Sequence, residues 1–427
     1  MESRPRRAST RSRRVQRDAS PEGFRRHKPD YWLLVLTALL LGVGLVVVYS
    51  ISPGLAASQH ISQNYFITKQ LIAVALGLVA FGVAYYLPLK AWLRIATPLI
   101  LLAAACSVAV MLTPVDSVHN AHRWIRLGGY SFQAVEVIKL AVLVWLASFL
   151  ARQWRSGRLD EFTGTLQPLI ILLAIVGVVV AKLQSDLGSA GVIVAMMVLM
   201  AYAAGVPLKR IAFFAGIVAV LAVLAIASSS YRRERLTTYF HPQTNCLTTG
   251  YQACQSLISV GSGGVFGLGL GYSVQAYGYQ PEASNDSIFA IMAEKFGFVG
   301  TFATIVVYGV LITRLKRVIS RIGDQFSRLL VVGVMSWIST QMIINVGAMI
   351  GLLPLKGITL PLISQGGTSL VFLAAALGLV FQISRYTSYN ATEPSFSLAE
   401  RRSAGYSFDG RRVGRSHNAS LVARPRA

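Results

Sequence analysis

Apolar residues run along this chain in blocks of about twenty, the length a helix needs to cross a bilayer with every backbone group paired. Ten blocks qualify: residues 31–51, 66–86, 91–113, 133–151, 166–183, 187–205, 210–228, 286–313, 329–352 and 367–385. The predicted fold class is therefore an all-α membrane protein of about ten transmembrane helices, with a large extracytoplasmic loop between spans seven and eight.

The polar connections set the orientation. The even-numbered ones carry Lys90 and Arg94, then Arg152, Arg155 and Arg158, then Lys209 and Arg210, then Arg314, Lys316, Arg317, Arg321 and Arg328. Connection 52–65 has no Lys or Arg, and 353–366 has only Lys356. Basic residues stay on the cytoplasmic side, so both termini are expected there and the odd connections outside. The first span is expected to double as the insertion signal, since no cleavable leader precedes it.

Composition agrees, with 54% hydrophobic and 13% charged residues. A net charge of +23 on a soluble protein would suggest nucleic acid. Here the basic residues sit in short loops and in the end segments 1–30 and 387–427, so no nucleic-acid partner is expected. Those segments read as disordered cytoplasmic tails around a membrane domain at 31–386. They either fix topology or lie against anionic lipid.

Two outer connections break the charge rule. Residues 114–132 (PVDSVHNAHRWIRLGGYSF) carry Arg123 and Arg126, and 229–285 carry Arg232, Arg233 and Arg235. A loop as long as the second is more often functional than idle. Its Gly261, Gly263, Gly264, Gly267, Gly269 and Gly271 allow tight turns and close approach to a ligand. They are no nucleotide fingerprint, because no strand precedes them.

Ionisable groups beside or within spans are functional candidates. Glu136 and Lys139 share a helix face, as a structural ion pair or as substrate contacts. Asp186, in QSDLGS, suits a helix N-cap or a site. Asp286 stands at the mouth of span eight after Glu282, with Glu294 two turns further in, and is either another cap or a general base. Several Arg near carboxylates and an apolar cleft suit a ligand with phosphate and a lipid tail. A small-ion transporter would place its charges at mid-membrane.

Six ordered segments then carry a resemblance: HRWIRLGGYSFQAVEVIKLA (122–141), QSDLGSA (184–190), YRRERLTTYFHP (231–242), GYQACQSLISVGSGGVFGLGLGYSVQ (250–275), PEASNDSIFAIMAEKFGFVG (281–300) and LPLKGITLPLISQGGTSL (353–370). Over residues 31–386 the chain resembles the SEDS family of shape, elongation, division and sporulation proteins (FtsW, RodA, SpoVE). The stretch from Lys356 to Pro361 looks like the division branch. The resemblance implies a peptidoglycan glycosyltransferase of cell division, polymerising lipid II outside the cytoplasmic (inner) membrane at the septum and releasing undecaprenyl pyrophosphate. It implies Asp286 as the catalytic base and Arg123, Glu136, Lys139, Asp186, Arg232 and Arg235 as substrate-binding residues. It also implies a class B penicillin-binding protein and other division proteins as partners. No metal cluster is legible, although a divalent cation, Mg or Mn, is a candidate aid to pyrophosphate departure. A lipid II flippase and a division scaffold without chemistry are the competing readings. The chain departs from the family pattern at Ala134, Val135, Ser185, Lys295 and Gln365.

Of three cysteines, Cys106 reads as a small core residue. Cys246 and Cys254 fall in the outer loop, where disulfides persist, and are expected to pair.

Overall fold

The computed structural model describes residues 25–26, 28–113, 123–127, 130–241, 246–248 and 250–387. The proposed tails therefore lie almost wholly outside the described residues, as does much of the third connection.

Each expected span forms. They are α1 (Tyr31–Gln59), α2 (Tyr65–Tyr86), α3 (Leu89–Met111), α4 (Ala134–Arg155), α5 (Gln167–Val176), α6 (Leu187–Ala204), α7 (Leu208–Ala227), α10 (Ile288–Ile319), α11 (Gln325–Met349) and α12 (Gly367–Ile383). Wide π turns at Phe162–Leu166 and Gly177–Leu183 extend α5 into a span of full length. Nine of these helical segments are long and apolar enough to cross a membrane; α12, with 17 residues, is apolar and slightly short. The protein is a multi-pass helical membrane protein. The long loop holds α8 (Ser230–Phe240) and α9 (Tyr251–Ser262). Ahead of α4, β2 (Trp124–Leu127) and β3 (Tyr130–Gln133) form a hairpin that pairs Arg126 with Ser131.

Burial ranks the helices. The apolar window of α4 is 94% buried and that of α7 only 6%, so α4 is the central post and α7 faces lipid. At the α2–α12 crossing the backbones touch through glycine. A methyl at Gly378 would collide with the Phe81 backbone, and one at Gly77 with Leu370.

The glycine cluster makes the tight turns expected of it, with positive φ at Gly264, Gly267 and Gly269, and the close approach it allows is to another helix. Helix α10 breaks at Gly297, with φ 64° and ψ −165°, and the segment after α9 closes over the break. Leu268 and Gly269 N–H groups donate to the Glu294 and Lys295 carbonyls at 2.9 and 3.0 Å. Phe298 and Val299 N–H groups donate to Gly264 and Val265 at 2.9 and 3.0 Å. A broken helix at this depth is tolerable because freed groups on both sides of the break find such partners. A side chain at Gly263 or Gly267 would overlap the backbone of Ala293 or Lys295, so these glycines admit α10 rather than a ligand. Glu294, 1% exposed, completes the clamp by accepting from Ser273 Oγ at 2.5 Å and Val274 N–H at 2.9 Å. Lys295 Nζ donates to the Leu270 carbonyl at 2.6 Å.

Candidate functional site

The site is built where the starts of α4, α6, α10 and α12 meet the end of α11. Asp286 sits one residue before the cap of α10, in a turn that Glu282 creates at φ 52° by accepting from the Asn285 and Ser287 N–H groups. The residue is half-buried, yet its Oδ1 is sealed from solvent with no hydrogen-bond donor among the described residues. Burial, then the charge of Glu282, pushes its carboxyl up to about 7. Its own backbone N–H, the Gln252 amide and Arg235 pull the other way. Gly357 lies alongside: a Cβ there would stand 3.5 Å from Asp286 Oδ2.

Four cations line the neighbouring loops. Arg123 donates through Nε and Nη2 to the carbonyls of Gln184 and Ser185 at 2.9 and 2.6 Å. Arg232 donates to Ala181 and Ala225 at 2.6 and 3.0 Å. Both thus cap the carbonyl end of span five, where unpaired backbone oxygens and the helix dipole favour positive charge. The two guanidiniums still repel: burial, then Arg123, lowers the proton affinity of Arg232. Arg235 donates to the Leu355 carbonyl at 3.4 Å, which brings it beside Lys356. Burial first, then Arg235 and Arg232, depresses the Lys356 ammonium, and Asp186 offsets this in part. Crowded cations that weaken one another make a pocket suited to an anion.

Asp186 is the N-cap of α6, accepting Ser189 N–H at 2.9 Å, and Gln133 Nε2 reaches its other oxygen at 3.4 Å. Ser185 before it stands at φ 53°, a left-handed conformation closed to proline.

Glu136 and Lys139 are farther in. They pair at 2.8 Å and are 2% and 1% exposed, so the bundle closes over both. Lys139 also reaches Gln341 Oε1 at 3.5 Å, and Gln341 Nε2 donates to the Thr359 carbonyl at 2.9 Å. One turn along α11, Asn345 Nδ2 donates to the carbonyls of Asp286 and Ile358, each at 2.7 Å. The buried pair therefore braces the Lys356 loop through Gln341, and Asn345 on the same helix separately ties the Asp286 backbone to that loop.

Lys356, Gln252, Gln341 and Asn345 were absent from the expected site. Signals for some were present: Lys356 is the sole basic residue of its connection, and two amides four apart in an apolar span share one face. Cys246 and Cys254 form the expected disulfide, with Cα atoms 5.5 Å apart, tying the segment after α8 to α9, the helix of Gln252.

Among known proteins, the probable peptidoglycan glycosyltransferase FtsW of Saccharophagus degradans is 40% identical over 369 residues, 85% of this chain and 94% of that protein. A chain from a peptidoglycan synthase complex that coordinates polymerization and crosslinking superposes with a TM-score of 0.64 at 25% identity, covering 84% of this chain and 98% of that one. The Thermus thermophilus rod shape determining protein RodA gives 0.59 at 25% identity, covering 84% and 97%. The cell cycle protein family model FTSW_RODA_SPOVE matches residues 31–389, and the chain belongs to that family.

Proposed function

We propose that this protein is a peptidoglycan glycosyltransferase of cell division, polymerising lipid II at the outer face of the bacterial cytoplasmic membrane. The observation that carries the reading is Asp286: a carboxyl near neutrality, with an unpartnered buried oxygen, beside Lys356 and Arg235. The relatives' names support the same activity.

Asp286 accepts the proton of the incoming sugar hydroxyl as that oxygen attacks the anomeric carbon of the growing chain. The bond from that carbon to undecaprenyl pyrophosphate breaks, and the pyrophosphate leaves with the electron pair. Arg123, Arg232, Arg235 and Lys356 stabilise the departing charge; each Arg has N–H groups beyond those used on backbone carbonyls. Asp186 sets the start of α6 and balances Lys356. Glu136 and Lys139 act as positioning residues through Gln341.

A divalent cation, Mg or Mn, fits this donor set in part. The half-buried Asp286 carboxylate offers one hard-oxygen ligand, but no group of three or more His, Cys, Asp or Glu gathers among the described residues, so phosphate and water would complete the shell. When bound, such an ion supplies charge neutralisation at phosphate.

The reading includes cytoplasmic termini with basic tails at 1–30 and 387–427, and placement at the septum. It also includes a class B penicillin-binding protein as partner, supported by the similar chain from a synthase complex. The test is to supply fluorescent lipid II to the purified full-length protein with such a partner. Glycan polymer on a gel is expected. Movement of the label between leaflets without polymer would make the protein a flippase, and neither outcome would leave a scaffold.

A further inference from the structure

At the other end of the bundle, where α1 begins and α12 ends, the chain is tied together. A two-residue strand, β1 (Arg25–Arg26), pairs with β4 (Tyr386–Thr387), and Asp30 N–H donates to Ser384 Oγ at 3.2 Å. Beside this junction an open cleft of about 660 Å³ lies between α1, α2 and α12. Phe381 is its centre, with ring centroids 6.2 Å from Tyr31, 5.8 Å from Phe81 and 5.4 Å from Tyr85.

Two cations, Lys28 and Arg385, complete the lining. Arg385 is held in place: Nη1 donates to the Tyr85 hydroxyl at 2.7 Å, and its Cζ stands 5.3 Å from that ring's centroid. Its Nε is buried without an acceptor among the described residues. Neither cation has an acidic partner there. Asp30, the carboxylate at this junction, is engaged by Trp32 N–H at 3.1 Å.

Depth indicates the occupant. Tyr31, Trp32 and Tyr86 are 56%, 53% and 81% exposed around the cleft, forming the aromatic belt that marks headgroup level. Below it the outer face of α2 exposes Leu78, Val79 and Val83. We propose that this cleft binds one anionic phospholipid. The headgroup phosphate sits on Lys28 and the Nη N–H groups of Arg385 not used on Tyr85, and an acyl chain passes Phe381 to run down α2. A zwitterionic lipid would bring its own ammonium against the two cations, so the cleft selects net negative charge. With the topology proposed above, the lipid belongs to the cytoplasmic leaflet. The site is separate from the Asp286 cluster, so it stands whether or not the glycosyltransferase reading does.

The test is photolabelling of the full-length chain in phosphatidylcholine vesicles holding a tracer of photoactivatable phosphatidylglycerol, with labelled peptides mapped. Label is expected in residues 71–86 and 373–385, displaced by unlabelled phosphatidylglycerol and untouched by inorganic phosphate. Lys28→Gln and Arg385→Gln should each lower it about fivefold, and Arg385→Lys should retain most of it. Lys28 is exposed and makes no bond among the described residues, so its substitution tests the cleft without disturbing the fold. Equal labelling by a phosphatidylcholine probe, displacement by phosphate, or indifference to Lys28→Gln would each overturn the proposal. So would cross-links from residues 388–427 that fill the cleft, which would make the chain's own tail the occupant.

Discussion

At the residue scale the central tension is between Asp286 and its surroundings. Burial and Glu282 keep its proton on, while Arg235 helps remove it. As a base it acts as the carboxylate, so polymerisation should rise with pH through about 7, the value to which its carboxyl is pushed. Removing a repelling negative charge stabilises the carboxylate, so Glu282→Gln should move that rise to lower pH. Arg235→Gln should move it higher. A pH profile of kcat/KM for the three proteins checks both directions, and identical profiles would detach the rise from Asp286. Asp286 was a candidate from sequence because an ionisable group beside a span is costly, and the family resemblance then chose the base over a helix cap. The structural use of Arg123 and Arg232 on span five was not legible, because those carbonyls lie far away in sequence.

At the element scale two devices fix the loop of α8 and α9. The disulfide closes a short loop, for which chain-entropy reasoning gives about 2–3 kcal/mol. Cys246→Ser with Cys254→Ser should lower the melting temperature while leaving a folded, less active protein. The second device is the backbone contact between the glycine segment and the broken α10. Gly267→Val should be far more damaging than Gly271→Val: at φ 80° Gly267 lies against the Lys295 and Gly297 backbones, whereas Gly271 has open space. Fluorescence-detected size exclusion of the two variants would compare them, and equal monodispersity would contradict the clamp. Sequence made the glycine cluster conspicuous but not its partner, since that partner is a helix break nearly thirty residues on, inside a run that reads as one continuous span.

At the scale of the whole molecule, hydropathy was enough to recover the spans, because crossing the bilayer takes a long run of apolar residues whether or not the helix is broken. What it could not reveal is how α4 and α11 hold the loops that meet at Asp286, since this depends on neutral amides that barely alter an apolar pattern. The Glu136–Lys139 pair is the root of that support. Lys139→Met leaves Glu136 charged and buried and should cost about 3–5 kcal/mol, while adding Glu136→Leu should recover most of it. Melting curves of the single and double variants decide this. A double variant that regains stability and binds lipid II but polymerises more slowly agrees with a positioning role; full activity would leave the pair no role beyond packing, and a stable variant that cannot bind lipid II would make it a substrate contact. The most direct measurement of the account is glycan polymerisation by full-length Asp286→Ala beside the unaltered protein, with lipid II binding followed in both. Binding retained and polymer lost is the predicted result, and polymer formed by the alanine variant would contradict it.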